Sequence, residues 1–312
     1  MILNYLSEHL NCSKKQLQQH LSCTPTELEE MFNNLKKQGL PLLISGDKVQ
    51  LKKQLPLLNI PLIKQSINPQ KVHYQKVMDS TNQYLLNHIK ALNKGDICIT
   101  EYQHAGRGRR GKHWLSPFAG QIIYSLYWNF PTTTDLNGLS LVVGLAVTET
   151  LADLGVENIG LKWPNDILLQ GRKLAGILIE LAPNKAEQYQ VVIGLGLNML
   201  LPKEDLSIDQ PYAQLLTDSN IKIERSELIN QITHKLYLYL TLFQQKGMAL
   251  FQQQWNQYDA FYNQKVCLIE QNQVTQGIEK GIDERGYLQL QVPNQQQLIH
   301  FNVGEVSLRK QK

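Results

Sequence analysis

Apolar residues in the first forty positions recur at helical spacing: Ile2, Leu3, Leu6 and Leu10, then Leu17 and Leu21, then Leu28, Met31, Phe32 and Leu35. The pattern predicts three short helices. Ser13 and Thr24 stand where the second and third need N-caps, Pro25 suits a first helical turn, and Gly39 ends the third. Two apolar stretches, GLPLLIS and KVQLKK, flank a Gly46-Asp47 turn and predict a small β-wing. Three helices and a wing, over residues 1–60, make a winged helix-turn-helix. The stretch 55–70 carries Pro56, Pro61 and Pro69 with little helical periodicity, so residues 61–72 are expected to be a linker.

From His73 strands and helices alternate. VHYQKV, 96–101, QIIYSLYW, GLKWP, ILLQ, KLAGILIEL and YQVVIGLGLN read as strands, and 80–92, 139–154 and 224–261 read as helices. This is one large mixed α/β domain over residues 73–263. Helical periodicity then ends. KVCLIE, VTQGIEKGI, YLQLQV, QLIHFN and VSLR, separated by turns such as Asp283-Glu284-Arg285-Gly286, predict an SH3-like β-barrel over residues 264–312. The expected fold class is α+β multidomain.

Hydrophobic residues fill 42% of the 312 positions and charged residues 19%, enough to bury cores and too little charge for a disordered tail. No apolar run reaches the roughly 20 residues that cross a bilayer. MILNYLSEHLNC lacks a basic n-region and meets Glu8 early, which argues against a signal peptide. A cytoplasmic protein with no membrane partner is expected. Thirty-one Lys and Arg against 27 Asp and Glu leave a charge of +4, too weak to argue for nucleic acid by itself. Cys12, Cys23, Cys98 and Cys267 form no CxxC pair and the histidines show no HxH or HxxxH spacing, so no metal held by protein side chains alone is expected.

The densest chemistry lies in GRGRRGKHW, 106–114, where Arg107, Arg109, Arg110 and Lys112 are interleaved with three glycines. Glycine lets the backbone approach a ligand, and arginine clamps phosphate or carboxylate with paired N–H donors. The plainer reading is a solvated basic loop or a nucleic-acid contact. It is not a GxxxxGK[ST] phosphate loop, because His113 follows Lys112. KWPND, 162–166, presents Asn165 and Asp166 after a rigid Trp-Pro turn. GRKLAG, 171–176, puts Lys173 at the start of an apolar strand, where its charge needs an anion.

Together with DSTNQYLL, 79–86, these motifs stand in the order found in bacterial biotin protein ligases. The chain resembles the bifunctional members of that family, which also repress the biotin operon, over nearly its whole length. The resemblance implies a central ligase domain of class II synthetase-like fold. It implies that the biotin carboxylate is joined to the α-phosphate of ATP, with Mg²⁺, to give biotinyl-5′-AMP and pyrophosphate. Biotin then passes to a lysine of the biotin carboxyl carrier protein of acetyl-CoA carboxylase. No covalent enzyme nucleophile is needed, in keeping with the lack of a Ser/His/Asp or Cys/His signature.

Carried over residue by residue, Ser80, Thr81, Asn82 and Gln103 match biotin contacts, the first three at the ureido ring. Ser80 also reads as an ordinary N-cap. Arg107, Gly108 and Arg109 match the loop that closes over biotin and its adenylate, and Gly176 falls on the biotin side. Lys173 matches the lysine on the biotin carboxylate and the phosphate, the main electrostatic catalyst, with Arg107, Arg109 and Asp166 beside it. Asp166 either holds Mg²⁺ or orients the incoming amine; its plainer reading is an Asx turn after Pro164. Arg110, Trp114, Lys162, Asn165, Asn198 and Tyr212 fall on the ATP side, with Tyr212 in the 202–220 loop expected over the adenosine. Trp114 also reads as a packing lid. Homodimerisation on ligand binding is a further implication. Lipoate or octanoate ligation is the enzyme alternative, which the intact GRGRRG disfavours.

The repressor half has weaker chemistry. The third helix begins Pro25-Thr26-Glu27-Leu28-Glu29-Glu30, three acids where a recognition helix would meet phosphates. The candidate DNA contacts are Lys14, Lys15, Thr26, Lys36 and Lys48. Three readings stand: a ligase that binds operator DNA with biotinyl-AMP as corepressor, a ligase whose N-terminal module binds no DNA, and a biotin sensor without catalysis.

Overall fold

The computed structural model describes residues 2–9, 11–37, 42–52, 54–182, 188–202, 210–270, 273–293, 295–302 and 306–310. Near the N-terminus lie helices α1 (Ile2–Glu8), α2 (Lys14–Leu21) and α3 (Pro25–Lys37). They pack with a three-stranded antiparallel sheet ordered β1 (Cys12–Ser13), β3 (Lys48–Leu51), β2 (Leu42–Ser45). Both expected caps are present. Ser13 accepts from the Gln16 N–H at 3.0 Å, and the Gln16 side chain accepts from the Ser13 N–H at 2.8 Å. Thr24 and Glu27 make the same exchange ahead of α3. Leu6, Leu17, Leu28 and Phe32 are buried in a cluster that includes Val77, Tyr102, Phe118 and Ala119 from further along the chain. The N-terminal module is therefore packed onto the neighbouring domain. Gly39, the expected stop, lies outside the described residues.

The expected linker is corrected: residues 60–67 form helix α4 (Ile60–Ile67). Asn59 caps it by accepting from the Leu62 N–H, and Pro61 sits in the first turn, where a missing N–H breaks no intrahelical bond. Ile63 and Ile67, four residues apart, are buried in the main core. Proline here opens a helix.

The central sheet has seven strands. Their spatial order is β4 (Val72–Met78), β5 (Ile97–Gln103), β6 (Gln121–Pro131), β10 (Gln188–Asn198), β9 (Arg172–Leu181), β8 (Asp166–Leu169) and β7 (Ile159–Lys162). All neighbours are antiparallel except the β4–β5 pair. Helices α6 (Leu139–Asp153) and α8 (Arg225–Lys246) join α4 in the main core on one face, while Leu85 of the short helix α5 (Thr81–Asn87) packs with Cys98, Tyr127 and Val192 in a separate cluster. A one-turn helix, α7 (Leu215–Asp218), follows β10. The helix expected over 80–92 ends at Asn87, before a 3-10 turn at Ile89–Ala91. The single helix expected over 224–261 is broken as well. Gly247 takes φ +68°, a conformation open to glycine, so α8 stops and a 3-10 turn and α9 (Gln252–Gln257) follow. Among the described residues no helix is long and apolar enough to cross a membrane.

The C-terminal five-stranded sheet is ordered β14 (Ile299–Phe301), β13 (Leu288–Gln291), β12 (Gln273–Ile282), β11 (Lys265–Glu270), β15 (Val306–Lys310), all antiparallel. Val266, Leu268, Leu288 and Leu290 continue the central core, so the two domains share one interior. Trp163 bridges them by donating its indole N–H to the Gly286 carbonyl at 3.2 Å.

Two acids also meet at this junction, one buried and one half-buried. Glu279 of β12 is 0% exposed and faces Asp259, whose backbone pairs with Leu161 of β7. Among the described residues neither Glu279 oxygen has a partner donor, so a proton carried by one of the two carboxyls supplies the bond between them. Burial raises both acids; the Asp259 charge raises Glu279 further, while Lys162 acts in the opposite sense. The folded chain therefore keeps a proton that the unfolded chain releases at lower pH. This contribution to stability is full at low pH and is lost as pH rises through the elevated folded-state values. Thermal unfolding between pH 6 and 9 should show the native chain losing Tm relative to Glu279→Gln, by about 2–4 °C for each kcal/mol of linkage. Parallel curves for the two proteins would contradict the shared proton.

Candidate active site

A cavity of about 220 Å³ opens over β9, β10 and the N-terminus of α5. One end is polar and nearly uncharged. Ser80 caps α5, and Thr81 and Asn82 in its first turn are buried at 3% and 4% exposure. Gln103, at the end of β5, accepts from the Thr81 N–H at 2.8 Å and from its hydroxyl at 3.2 Å. The Ser125 hydroxyl, on β6, lies 2.7 Å from Thr81 Oγ1 and 2.5 Å from Asn82 Oδ1. Buried polar groups need such partners, and this set leaves donors and acceptors facing one small space.

The other end is cationic. In β8, Asp166 and Leu168 share a face, and Lys173 of β9 pairs opposite Leu168. The Lys173 ammonium therefore reaches Asp166 Oδ1 at 2.7 Å, with Lys162 Nζ 3.9 Å from Oδ2. Asp166 thus faces two lysines instead of closing an Asx turn. Burial lowers the Lys162 pKa, and the Asp166 charge opposes that shift. Arg107, Arg109, Arg110, Lys112 and Arg309 complete the positive wall; among the described residues Asp166 is its one carboxylate.

The 106–114 loop folds back on itself, with Arg107 bridged to His113 and the Gly108 N–H donating to the Lys112 carbonyl at 2.7 Å. Arg110 sits at its tip at φ +58°. Arg109 donates to Asn165 Oδ1 at 2.9 Å, and burial lowers its pKa without removing its charge. Trp114 lies flat against β9 and β10, where a Cβ on Gly196 would fall 2.4 Å from the ring. Only a glycine admits the indole this closely. Lys173 Nζ lies 5.5 Å from that ring's centroid.

Most expected site residues line this one cavity: Ser80, Thr81, Asn82, Gln103, Arg107, Gly108, Arg109, Arg110, Trp114, Lys162, Asn165, Asp166, Lys173 and Gly176. Two do not. Asn198 is buried behind the wall, its amide donating to the Ala213 carbonyl at 3.1 Å and its oxygen accepting from Gln121. Tyr212 is drawn beside Lys173 by backbone pairing but stays outside the lining, and residues 203–209 of its loop lie outside the described residues. Sequence reading missed Ser125, Glu180, Gln83 and Arg309. Ser125 had a faint signal, as the one small polar residue in the aromatic and aliphatic run IIYSLYW. Arg309 had none, because only the docking of the C-terminal sheet brings it here. Of the candidate DNA contacts, Lys15, Thr26, Lys36 and Lys48 are exposed, whereas Lys14 is paired with Glu29 at 2.6 Å.

Residues 74–198 match the Biotin/lipoate A/B protein ligase family, and residues 262–309 match the Biotin protein ligase C terminal domain. The bifunctional ligase/repressor BirA of Escherichia coli is 39% identical over 268 residues, covering 85% of this chain and 83% of BirA. A biotin–[acetyl-CoA-carboxylase] ligase of Paracoccus denitrificans is 27% identical over 229 residues, covering 71% of this chain and 94% of its own. Biotin protein ligase from Aquifex aeolicus in complex with biotin and ATP shares the fold with a TM-score of 0.69 at 25% identity, covering 77% of this chain and 99% of that one. With a relative this similar over this much of its length, and with both the ligase and the C-terminal domain families matched, the chain belongs to the biotin protein ligase family.

Proposed function

We propose that the protein joins biotin to AMP and then transfers biotin to a lysine of the biotin carboxyl carrier protein of acetyl-CoA carboxylase. The observation that carries this is the Lys173–Asp166 contact in a cavity whose two ends match the two halves of biotinyl-5′-AMP. Thr81, Asn82 and Gln103 suit the ureido ring, which needs donors and acceptors once buried, and Ser125 holds Thr81 and Asn82 from behind. At the cationic end Arg109, Lys162, Lys173 and Arg309 offset the repulsion between a carboxylate and a triphosphate.

In the first step a biotin carboxylate oxygen attacks the α-phosphorus, and the bond to the β-phosphate oxygen breaks as pyrophosphate leaves. Lys173, moving from Asp166 to the new anion, stabilises the charge that builds on the phosphoryl oxygens. In the second step the carrier lysine's amine attacks the acyl carbon, and AMP leaves. Asp166, released by Lys173, is placed to orient that amine and take its proton. Trp114 offers a flat face against the glycine floor for the adenine. Mg²⁺ supplies charge neutralisation on the phosphates when bound with ATP. One carboxylate with substrate phosphates is its ordinary setting, and Asp166 is the carboxylate that would serve.

Biotin-dependent ATP–pyrophosphate exchange tests this directly. Exchange should appear with biotin and not with lipoate, and Lys173→Ala should lower it on the order of 10²–10³-fold. No exchange from folded protein with Mg²⁺ would overturn the ligase reading and leave a biotin sensor.

The N-terminal module, read as a winged helix-turn-helix, is proposed to bind operator DNA as part of a homodimer with biotinyl-AMP as corepressor. The acids of α3 are a smaller obstacle than their spacing suggests, since Glu27 serves the helix cap and Glu29 pairs with Lys14. Operator binding should depend on biotinyl-AMP and weaken as salt rises. Lys48→Ala should reduce the slope of log K against log salt by about 1. Binding that is absent at low salt, or insensitive to these changes, would favour a ligase without a DNA role.

A further inference from the structure

The polar end of the cavity rests on a pair of small residues in the middle of the central sheet. Ser125 of β6 lies directly opposite Gly194 of β10, and Gly194 lies opposite Leu178 of β9, so the three share one face. The first turn of α5 sits on that face. A Cβ on Gly194 would fall 2.5 Å from Asn82 Oδ1 and 3.0 Å from its Cγ, so the glycine leaves the space that the Asn82 amide occupies. Beside that space the buried Ser125 hydroxyl reaches Asn82 Oδ1 at 2.5 Å and Thr81 Oγ1 at 2.7 Å.

One hydroxyl proton cannot serve both contacts, and the neighbours decide which it serves. Asn82 Nδ2 faces two groups that accept, the Glu180 carboxylate at 2.8 Å and the Leu178 carbonyl at 3.4 Å. Its Oδ1 therefore faces Ser125, and an amide oxygen only accepts, so the Ser125 proton goes to Asn82. Toward Thr81 the Ser125 oxygen then offers a lone pair. The Thr81 proton points into the wall, shared between Ser125 at 2.7 Å and Gln103 Oε1 at 3.2 Å. Thr81 is left with lone pairs alone toward the cavity that it lines. A hydroxyl is otherwise donor or acceptor by a turn about one bond, and this chain of contacts removes the choice.

We infer that Ser125 is a positioning residue that, seated against Gly194, holds the Thr81 proton in the wall and the Asn82 amide in one orientation, and so selects ligands whose ring brings N–H donors. A cyclic urea is such a ligand, whereas the dithiolane ring of lipoate has no N–H to give. That the urea is biotin's rests on the ligase reading; the proton order rests on the geometry alone. Without the Ser125 hydroxyl only the 3.2 Å contact to Gln103 holds the Thr81 proton, which then turns into the cavity and meets a ring N–H donor to donor. Ser125 acts at the polar end and Lys173 at the other, so losing the hydroxyl weakens biotin binding while the step governed by Lys173 is retained.

Calorimetric titration of the full-length chain tests this with biotin and with desthiobiotin, which keeps the cyclic urea and lacks the thioether. Ser125→Ala should weaken both ligands by the same factor, about tenfold, and Ser125→Cys, a weaker donor of similar size, by less. In the exchange assay Ser125→Ala should raise KM for biotin about tenfold with kcat within about twofold. Because the proton order starts at Asn82 Oδ1, Ser125→Ala added to Asn82→Ala should cost less than about twofold further. A merely structural role would add in full to the Asn82 effect, and that result overturns the proposal. A loss confined to biotin would place the hydroxyl on the thioether and also overturns it, as does native affinity in both Ser125 variants. A native chain that binds neither ligand overturns it as well. Equal weakening of both ligands in a protein without biotin-dependent exchange would remove the ligase reading and leave the proton order in place.

Discussion

An ammonium that is largely out of water must have an anion beside it, and Lys173 has Asp166 at 2.7 Å. The pair is held by strand register, with Lys173 opposite Leu168 and Asp166 two residues along on the same face. Around it the wall is strongly positive, so the carboxylate is outnumbered. Such a site holds its lysine ready at little reorganisation cost and favours ligands that bring further negative charge. A carboxylate and a polyphosphate bring it together, and their product, a mixed anhydride, keeps part of it.

The rest of the chain keeps this arrangement rigid at one end and adjustable at the other. Beneath the site, Arg225 at the start of α8 pairs with Glu101 at 2.8 Å and donates to the Gln121 and Pro56 carbonyls. Glu101 in turn accepts from the Leu58 N–H at 2.7 Å. Both charges are buried, so removing either would strand the other. This joint fixes the segment before α4 to the start of β6, whose Gln121 side chain accepts from the Trp114 indole. Above the site, the glycine-rich loop rests on individual side-chain contacts: Arg107 to Glu180 and Gln83, Arg109 to Asn165. Ligand entry can exchange those contacts without disturbing the core.

How much of this was legible in the sequence varied with the range of the forces involved. The caps at Ser13 and Thr24 were readable because they are local, and the strands from His73 onward because their apolar patterns are long. The segment 61–72 was misread because Pro56, Pro61 and Pro69 look the same in a loop as at the start of a helix, and only burial of Ile63 and Ile67 decides between them. At the site, motifs dense in charge located the loop, Asp166 and Lys173. Glu180 was hidden in a strand whose neighbours are apolar, and Arg309 in a different domain. Asn198 and Tyr212 adjoin the site in sequence or backbone pairing, and lie behind the cavity wall or outside its lining.

The central claim is that a single cavity holds both halves of the acyl-adenylate, with Lys173 at their junction. Calorimetric titration with a non-hydrolysable biotinyl-AMP analogue tests it most directly, beside biotin and ATP alone. A ligand that fills both ends should bind at least about a hundredfold more tightly than biotin, and should lose on the order of tenfold or more in Lys173→Ala. An analogue that binds no better than biotin, with Lys173→Ala indifferent to the adenylate half, would contradict the account.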